Sequence, residues 1–355
     1  DFRMNGVTII GTGHYVPGDP VPNDALARVM ETSDEWIVAR TGIRQRSFAE
    51  DGQGPSDLAV PACERALENA GVDRSEVDYI IFATMTPDHF FPGSGPLLGA
   101  KLGIPGVPAL DIRQQCAAMP YALQLANGLI QSKAASTILL VGAEVHAGFM
   151  PWSDWDLVRS RAEHAVTPEA YARANKHRGL AVVFGDGAAA MVLRQSESSE
   201  RGFITAELHS DGGAFDHLFV PGVGFRRIPY VSTEALEADE HIPQMQGPSL
   251  LKKAVQTLSR TVRSICKTQG IAQDEIDCFI AHQANDRINR AVRDALKIPP
   301  EKIPSNIARV GNTSAATIGI LTDELRREGR IQEGELLCFL GIGAGLNWGV
   351  ALLRL

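Results

Sequence analysis

ALENAGVDRSEVDYIIFATMTP at residues 66–87 is answered by SICKTQGIAQDEIDCFIAHQAN at residues 264–285. Each reads as a helix end, a glycine, a short polar linker, an acid–hydrophobe–Asp step and an apolar strand. Gly71 matches Gly270, and Asp78 matches Asp277, at one constant offset. Downstream of each copy lies a strand–turn–helix. The first is Val107–Ile130, VPALDIRQQCAAMPYALQLANGLI, and the second is NIARVGNTSAATIGIL. Each half then closes on strands with glycine turns, VVFGDGAAAMVL (182–193) and CFLGIGAGLNWGVALLRL (338–355). Such self-similarity predicts an α/β chain of two duplicated halves related by a pseudo-twofold axis. The strands are near-continuous Ile, Val, Leu and Phe, the pattern of sheets covered by helices on both faces. The polar run Gln195–Arg201 is the expected boundary, dividing the chain into 1–197 and 198–355.

Working outward, Val7–Gly13 reads as a first strand. Asn23-Asp24 is placed to cap a short helix, Ala25–Met30, and Thr32-Ser33-Asp34 to start another at Glu35–Val38. Ser56-Asp57 opens an amphipathic helix, Leu58–Ala70, closed by Gly71. A strand from Thr137 ends at Glu144. Two stretches have no counterpart in the duplication: His146–Arg178, with RSRAEH and PEAYARANK predicted helical, and Ser210–Gly247. Long irregular insertions in a compact fold are usually lids or binding loops, with decoration or a dimer contact as the alternative.

Bulk properties narrow the classes. A hydrophobic fraction of 44% with 21% charged residues is an ordinary globular composition. The formal net charge of −8 argues against nucleic acid as the main partner. The five cysteines are widely scattered with no CxxC pair, which predicts reduced thiols in a cytoplasmic setting and neither a disulfide frame nor a metal site. No signal peptide or membrane span is expected, and the three residues ahead of Met4 read as foreign to the natural start.

Chemistry centres on Cys116, between the end of a buried strand and a buried helix of about four turns. Unpaired backbone N–H groups and the helix dipole at that point lower a thiol pKa and favour the nucleophilic thiolate. A lone cysteine is otherwise more often a small core residue. His282 ends the matching strand of the second half, and Asn312 precedes the matching helix. Each alone reads as a structural histidine or a helix cap. On a duplicated α/β frame the same strand ends meet near the local axis, so Cys116, His282 and Asn312 are expected to converge on one site.

The motifs DEWIVARTGIRQR (34–46), FGDGAA (184–189), AHQAND (281–286), GNTSAA (311–316) and NWGVAL (347–352), with the cysteine stretch, closely resemble the β-ketoacyl-acyl carrier protein synthase III family of the thiolase superfamily. The resemblance spans essentially the whole chain and implies a thiolase-like five-layer αβαβα fold. Its Cys–His–Asn triad falls on Cys116, His282 and Asn312. It implies an acyl-Cys116 intermediate, decarboxylation of a malonyl thioester, and attack of the resulting enolate on the acyl group. The oxyanion donors would be the backbone N–H groups of Cys116 and Ala344. Hydrogen bonds from His282 and Asn312 to the enolate would each contribute roughly 3 kcal/mol.

The resemblance assigns coenzyme A contacts to Trp36, Arg40 and Arg178 and a pantetheine contact to Asn285. An indole face and a guanidinium plane both stack on a base, and Arg pairs with phosphate. It assigns carrier-protein docking to Arg287, and the same basic patch takes in Arg290, Arg293, Lys297, Lys252 and Lys253, with a solvated helix face as the alternative. Phe91, Met119 and Ile342 are the acyl-pocket candidates. Phe91 would reach a partner subunit, implying a homodimer. Coenzyme A enters as thioester substrate, and no resident cofactor or metal is implied.

Departures from the family pattern are Ala118-Met119 for Gly-Phe, Ile342 for Phe, Asn347 for Thr, Pro248 for a coenzyme-contacting Asn, Asp294-Ala295 for two basic residues, and a longer 146–178 insertion. They reshape the acyl pocket and its mouth. Three functions therefore stand at the level of sequence: a condensing enzyme starting fatty-acid chains from an acyl-CoA, a secondary-metabolite condensing enzyme or acyltransferase of the same family, or a non-catalytic subunit that binds acyl carrier protein.

Overall fold

The computed structural model describes residues 5–355, except for the side chain of Pro248. The expectations about the residues ahead of Met4 and about a coenzyme contact at Pro248 lie outside what it describes.

The strands that build the two main sheets are β1 (Val7–Tyr15), β2 (Tyr79–Ala83), β3 (Ala109–Ile112), β4 (Thr137–Glu144) and β5 (Gly187–Gln195), then β6 (Gly202–Ser210), β7 (Cys278–Ala281), β8 (Leu336–Gly343) and β9 (Asn347–Arg354). One sheet has the order β1-β5-β4-β2-β3 and the other β6-β9-β8-β7. The first three pairings of each sheet agree in sense: antiparallel, antiparallel, parallel. The same topology is thus laid down twice, as the echo predicts. Linker residues carry it at atomic detail. Gly71 and Gly270 both close their helices in the left-handed conformation, φ 63° and 66°. Asp78 accepts from the Thr137 N–H at 3.0 Å, and Asp277 accepts from the Leu336 N–H at 2.8 Å.

The helices that matter here are α1 (Asp34–Thr41), α2 (Pro55–Ala70), α3 (Ala118–Gln131), α4 (Pro168–Ala181), α5 (Gly247–Gln269), α6 (Asp286–Leu296) and α7 (Thr317–Arg327). Alternation along each strand feeds two different cores. Ile81 in β2 and Ile280 in β7 point inward, onto Ala122, Leu123 and Ala126 of α3 and Ile318 and Leu321 of α7. Ile80 and Phe82 point outward onto Leu58, Ala62 and Ala66 of α2. Phe279 and Ala281 point outward onto Leu258 and Val262 of α5 and Val292 of α6. The result is five layers, αβαβα, with α3 and α7 buried between the sheets. Gly11 and Gly13 let α2 lie directly on β1, since a Cβ at either would fall 2.4 Å from a carbonyl oxygen of Ala66 or Ala62.

Three local expectations are corrected. The short helix expected at Ala25–Met30 is Asn23–Leu26, so Asn23 starts it, and the turns after Leu26 make no regular helix. The strand expected from Val182 begins only at Gly187, because Val182–Asp186 turns to bring Phe184 beside Asn312. Of the charged insertion, PEAYARANK is helical behind the Thr167 cap, whereas RSRAEH is not. The insertion packs Met150, Trp152, Leu157 and Ala174 against Leu26, Met30 and Ile37, forming a separate core on one flank. Among the described residues no helix is long and apolar enough to cross a membrane.

Candidate active site

Cys116 lies in a single 3-10 turn, Gln115–Ala117, between β3 and α3. The turn is entered through Gln115 at φ 50°, a left-handed conformation rare for a side chain of that size. The duplicated turn, Ser314–Ala316, is entered through Ser314 at φ 47°. Such residues persist where the surroundings over-determine them, and here the two turns pack on each other. Cys116, His282 and Asn312 are each buried, and all three line one cavity of about 580 Å³.

Each side chain is held by its neighbours. His282 follows β7, its N–H continues the ladder to Leu340 O at 2.8 Å, and its Nδ1 lies 2.7 Å from Thr317 Oγ1. Burial pushes the His282 imidazole down to about 3, so it is neutral at physiological pH. Asn312 bonds through its backbone to Val183 and Gly185. Its amide oxygen accepts from the Ser314 N–H at 2.8 Å, which leaves Nδ2 as the donor on offer to a ligand.

Cys116 overturns the expected low pKa. Burial pushes its thiol up to about 12, with the Glu144 carboxylate adding to the rise and a hydrogen bond with Ser314 opposing it. The resting group is a thiol, held so by its burial. Glu144, fully buried, accepts from the Met85 and Thr86 N–H groups and the Thr86 hydroxyl, and burial raises its own pKa.

At the outer end of the cavity, Trp36 is flanked by two guanidinium groups, Arg40 at 4.1 Å and Arg178 at 4.7 Å from the ring centre. Ser33 caps α1 by accepting from the Trp36 N–H, which sets the indole at the helix start. Arg178 comes from α4, so the insertion supplies one face of this slot. Arg287, at the start of α6, lines the same opening. Among the described residues no cluster of His, Cys, Asp or Glu is arranged to hold a metal ion.

Comparison with known proteins decides the family. The model for "3-Oxoacyl-[acyl-carrier-protein (ACP)] synthase III" matches residues 110–163 and 165–212, and that for its C-terminal part matches 266–355. The chain belongs to the 3-oxoacyl-acyl carrier protein synthase III family. A member from Rhodospirillum rubrum is 39% identical, over 98% of both chains. The Aquifex aeolicus synthase III crystal structure superposes with TM-score 0.83 at 34% identity, covering 99% of this chain and 100% of that one. The priming β-ketosynthase of the R1128 polyketide pathway superposes with TM-score 0.84 at 27% identity, covering 99% and 97%.

Among the residues assigned from synthase III motifs, Ile342, Ala344 and Asn285 also line the cavity. Asn285 is already engaged: it caps α6 through the Arg287 N–H and donates to Arg40 O at 3.0 Å. Met119 is buried in the inter-sheet core and does not line the cavity. Phe91 stands outside it too, 80% exposed. In the basic patch, Arg290 pairs with Asp286 at 2.6 Å, Arg293 with Asp294 at 2.8 Å and Lys253 with Asp211 at 2.6 Å. Arg287 and Lys252 are exposed and form no ion pair among the described residues. Sequence reasoning missed Ser314, Thr317, Glu144 and His146. Ser314 sits inside the quoted GNTSAA, and His146 lies just past a strand end, the one signal that pointed to it.

Proposed function

We propose that this enzyme, of the acyltransferase class, joins an acyl-CoA primer to malonyl-acyl carrier protein with loss of CO₂, giving a β-ketoacyl-acyl carrier protein at the start of fatty-acid synthesis. The observation that carries the reading is the shared cavity of Cys116, His282 and Asn312, with Trp36 and Arg40 in its lining and Arg178 close to the same indole.

In the first half-reaction Cys116 Sγ attacks the acyl thioester, and the coenzyme thiol leaves. The Cys116 N–H and the Ala344 N–H receive the oxyanion. In the second, loss of CO₂ from the malonyl thioester develops an enolate oxygen, which takes hydrogen bonds from His282 Nε2 and Asn312 Nδ2. The enolate carbon then attacks the acyl carbon, and Cys116 leaves as the thiol. Two neutral donors suit this step, since neither has to change charge as the enolate forms and collapses. These steps require no resident cofactor. Trp36, Arg40 and Arg178 hold the coenzyme, Asn285 borders the pantetheine path, and Arg287 with Lys252 faces an acidic carrier protein. The chain acts in the cytoplasm as a homodimer divided near residue 197, with Phe91 reaching the partner's acyl pocket.

A second reading, priming of a polyketide or related chain, draws on the likeness to the R1128 priming enzyme and on Ile342 in the cavity lining. The test is intact-mass measurement after mixing with a panel of acyl-CoAs, followed by malonyl-carrier protein. An adduct on Cys116 with malonyl-dependent turnover on short acyl donors supports the first reading. Turnover confined to other donors supports the second. No adduct from any donor defeats both and leaves a carrier-binding subunit.

A further inference from the structure

Helix α4 carries Arg178 to the Trp36 indole, yet little apolar surface holds it there. Of its 14 residues only Ala174, Leu180 and Ala181 are buried, too few for a stripe that would fix the helix about its own axis. Polar contacts on two opposite faces set its orientation instead. At about 100° per residue, Arg173, Lys176 and His177 share one face, and Asn175 and Arg178 share the other. On the second face both contacts go to the Glu31 backbone. Its N–H donates to Asn175 Oδ1 at 2.6 Å, and its carbonyl accepts from Arg178 Nη1 at 2.5 Å.

On the first face three side chains converge on one carboxylate. Arg173 Nε lies 2.6 Å from Asp239 Oδ1, while His177 Nε2 and Lys176 Nζ lie 3.2 Å and 3.6 Å from Oδ2. No other carboxylate pairs with these three among the described residues. Asp239 is itself buried and fixed by its backbone. It follows a short helix, Thr233–Glu237, at φ 60°, a left-handed conformation that Asp and Asn tolerate better than most side chains. Its N–H donates to Leu236 O at 3.1 Å, and its carbonyl accepts from the Ile242 N–H at 3.0 Å. Ile242 is buried in the same flank core as Ala174 and Ala181. Burial raises the Asp239 pKa, but hydrogen bonds from Arg173 and His177 more than offset this and hold it below the usual carboxylate range. Losing those partners would strand a buried charge, the situation in which an ion pair matters most. The contact also joins the two segments that have no counterpart in the duplication. The first runs on into Gly179, Val182 and Val183 of the cavity wall, and the second supplies Leu218, Met245 and Gly247.

We propose that Asp239 is a positioning residue for coenzyme A, gripping α4 on one face so that Arg178 covers the Trp36 indole on the other. The inference rests on the reading that Trp36 and Arg178 hold the coenzyme. Asp239 does not line the cavity and acts only through the helix.

The experiment compares wild type with Asp239→Asn, Arg173→Gln, Arg178→Ala and the double variant Asp239→Asn/Arg178→Ala. Asn keeps the left-handed backbone and removes the charge. Each protein is assayed with acetyl and octanoyl donors, as coenzyme A and as pantetheine thioesters. In Asp239→Asn, KM for the coenzyme A thioesters should rise about 10-fold, the lower end of what stacking supplies, with kcat within about threefold. KM for the pantetheine thioesters, which lack the base, should stay within about threefold. Arg173→Gln should shift KM in the same direction by about threefold or more. The double variant should lie within about twofold of Arg178→Ala, because Asp239 then has nothing left to position. Amide hydrogen exchange across α4, without ligand, should quicken about 10-fold in Asp239→Asn and Arg173→Gln. An equal rise in KM for the pantetheine thioesters, an additive loss in the double variant, or unchanged exchange in α4 would overturn the proposal. If Asp239→Asn fails to fold, Arg173→Gln decides by the same criteria, since the Arg173 side chain is 39% exposed. If wild type neither turns over these donors nor binds free coenzyme A by calorimetry, the coenzyme reading fails instead, and the exchange rates still judge the hold of Asp239 on α4.

Discussion

A Cβ on Gly343 would fall 2.7 Å from the backbone nitrogen of Cys116 and 3.0 Å from that of Ala117. The nucleophile's turn therefore rests directly on the last residue of β8, backbone against backbone. Gly341 lies equally close to Ala117, and in the other half Gly142 of β4 meets Ala315 in the same way. Each half lends an interior strand of its sheet, near that strand's C-terminal end, to seat the other half's turn.

Gly343→Ala should push the Cys116 turn away from Ala344 and separate the two oxyanion donors. We expect a loss of about 1–3 kcal/mol in stability from overpacking. Acyl-enzyme formation should fall by about 100-fold or more, as when one oxyanion donor is removed. Chemical denaturation and rapid-quench intact mass measure the two effects.

Asn312→Asp keeps the oxygen that accepts the Ser314 N–H and removes the Nδ2 donor. Malonyl decarboxylation by the pre-acylated enzyme should drop by about 100- to 1,000-fold, with acyl-Cys116 formation within about threefold. Release of CO₂ from labelled malonyl thioester gives the readout. An equal effect on both half-reactions would remove Asn312 from the enolate site.

Trp36→Ala should weaken acyl-CoA but not acyl-pantetheine. Base stacking on an aromatic ring is worth about 1–3 kcal/mol, so KM for acyl-CoA should rise roughly 10- to 100-fold with kcat little changed. Arg178→Ala should act in the same direction, since it covers the indole at 4.7 Å. Steady-state kinetics with the two donors separates adenine stacking from general damage.

His282 makes stability depend on acid. Burial lowers its imidazole from 6.5 to about 3, so below pH 6.5 the unfolded chain takes up a proton that the folded chain refuses. This contribution is complete above pH 6.5 and is lost progressively as pH falls toward 3. Between pH 7.5 and pH 5, wild type should lose about 2 kcal/mol that His282→Asn retains. Urea denaturation at the two pH values measures the difference, and equal losses would mean the ring is not held neutral by burial.

Much of this architecture is legible in one dimension because it depends on local chemistry. Left-handed glycines at 71 and 270, the Asp78 and Asp277 caps on the next strand, and apolar runs buried on both faces follow from residue type and spacing. The half-exposed edge strand Gly202–Ser210 escaped, since it mixes polar and apolar residues on a face only partly covered. So did the fate of the arginines on α6, which depends on Asp286 and Asp294 side chains turning toward them.

The sequence by itself determined the doubled α/β plan, the nucleophile's place at a strand–helix junction, and the residues that accompany it from the other half. Only the tertiary structure decided protonation and partnership. Whether Cys116 is a thiol, whether His282 is neutral, and whether Arg173 reaches Asp239 all depend on which atoms exclude water and which oxygens lie within about 3 Å. Those distances arise between residues far apart in the chain, where no periodicity links them.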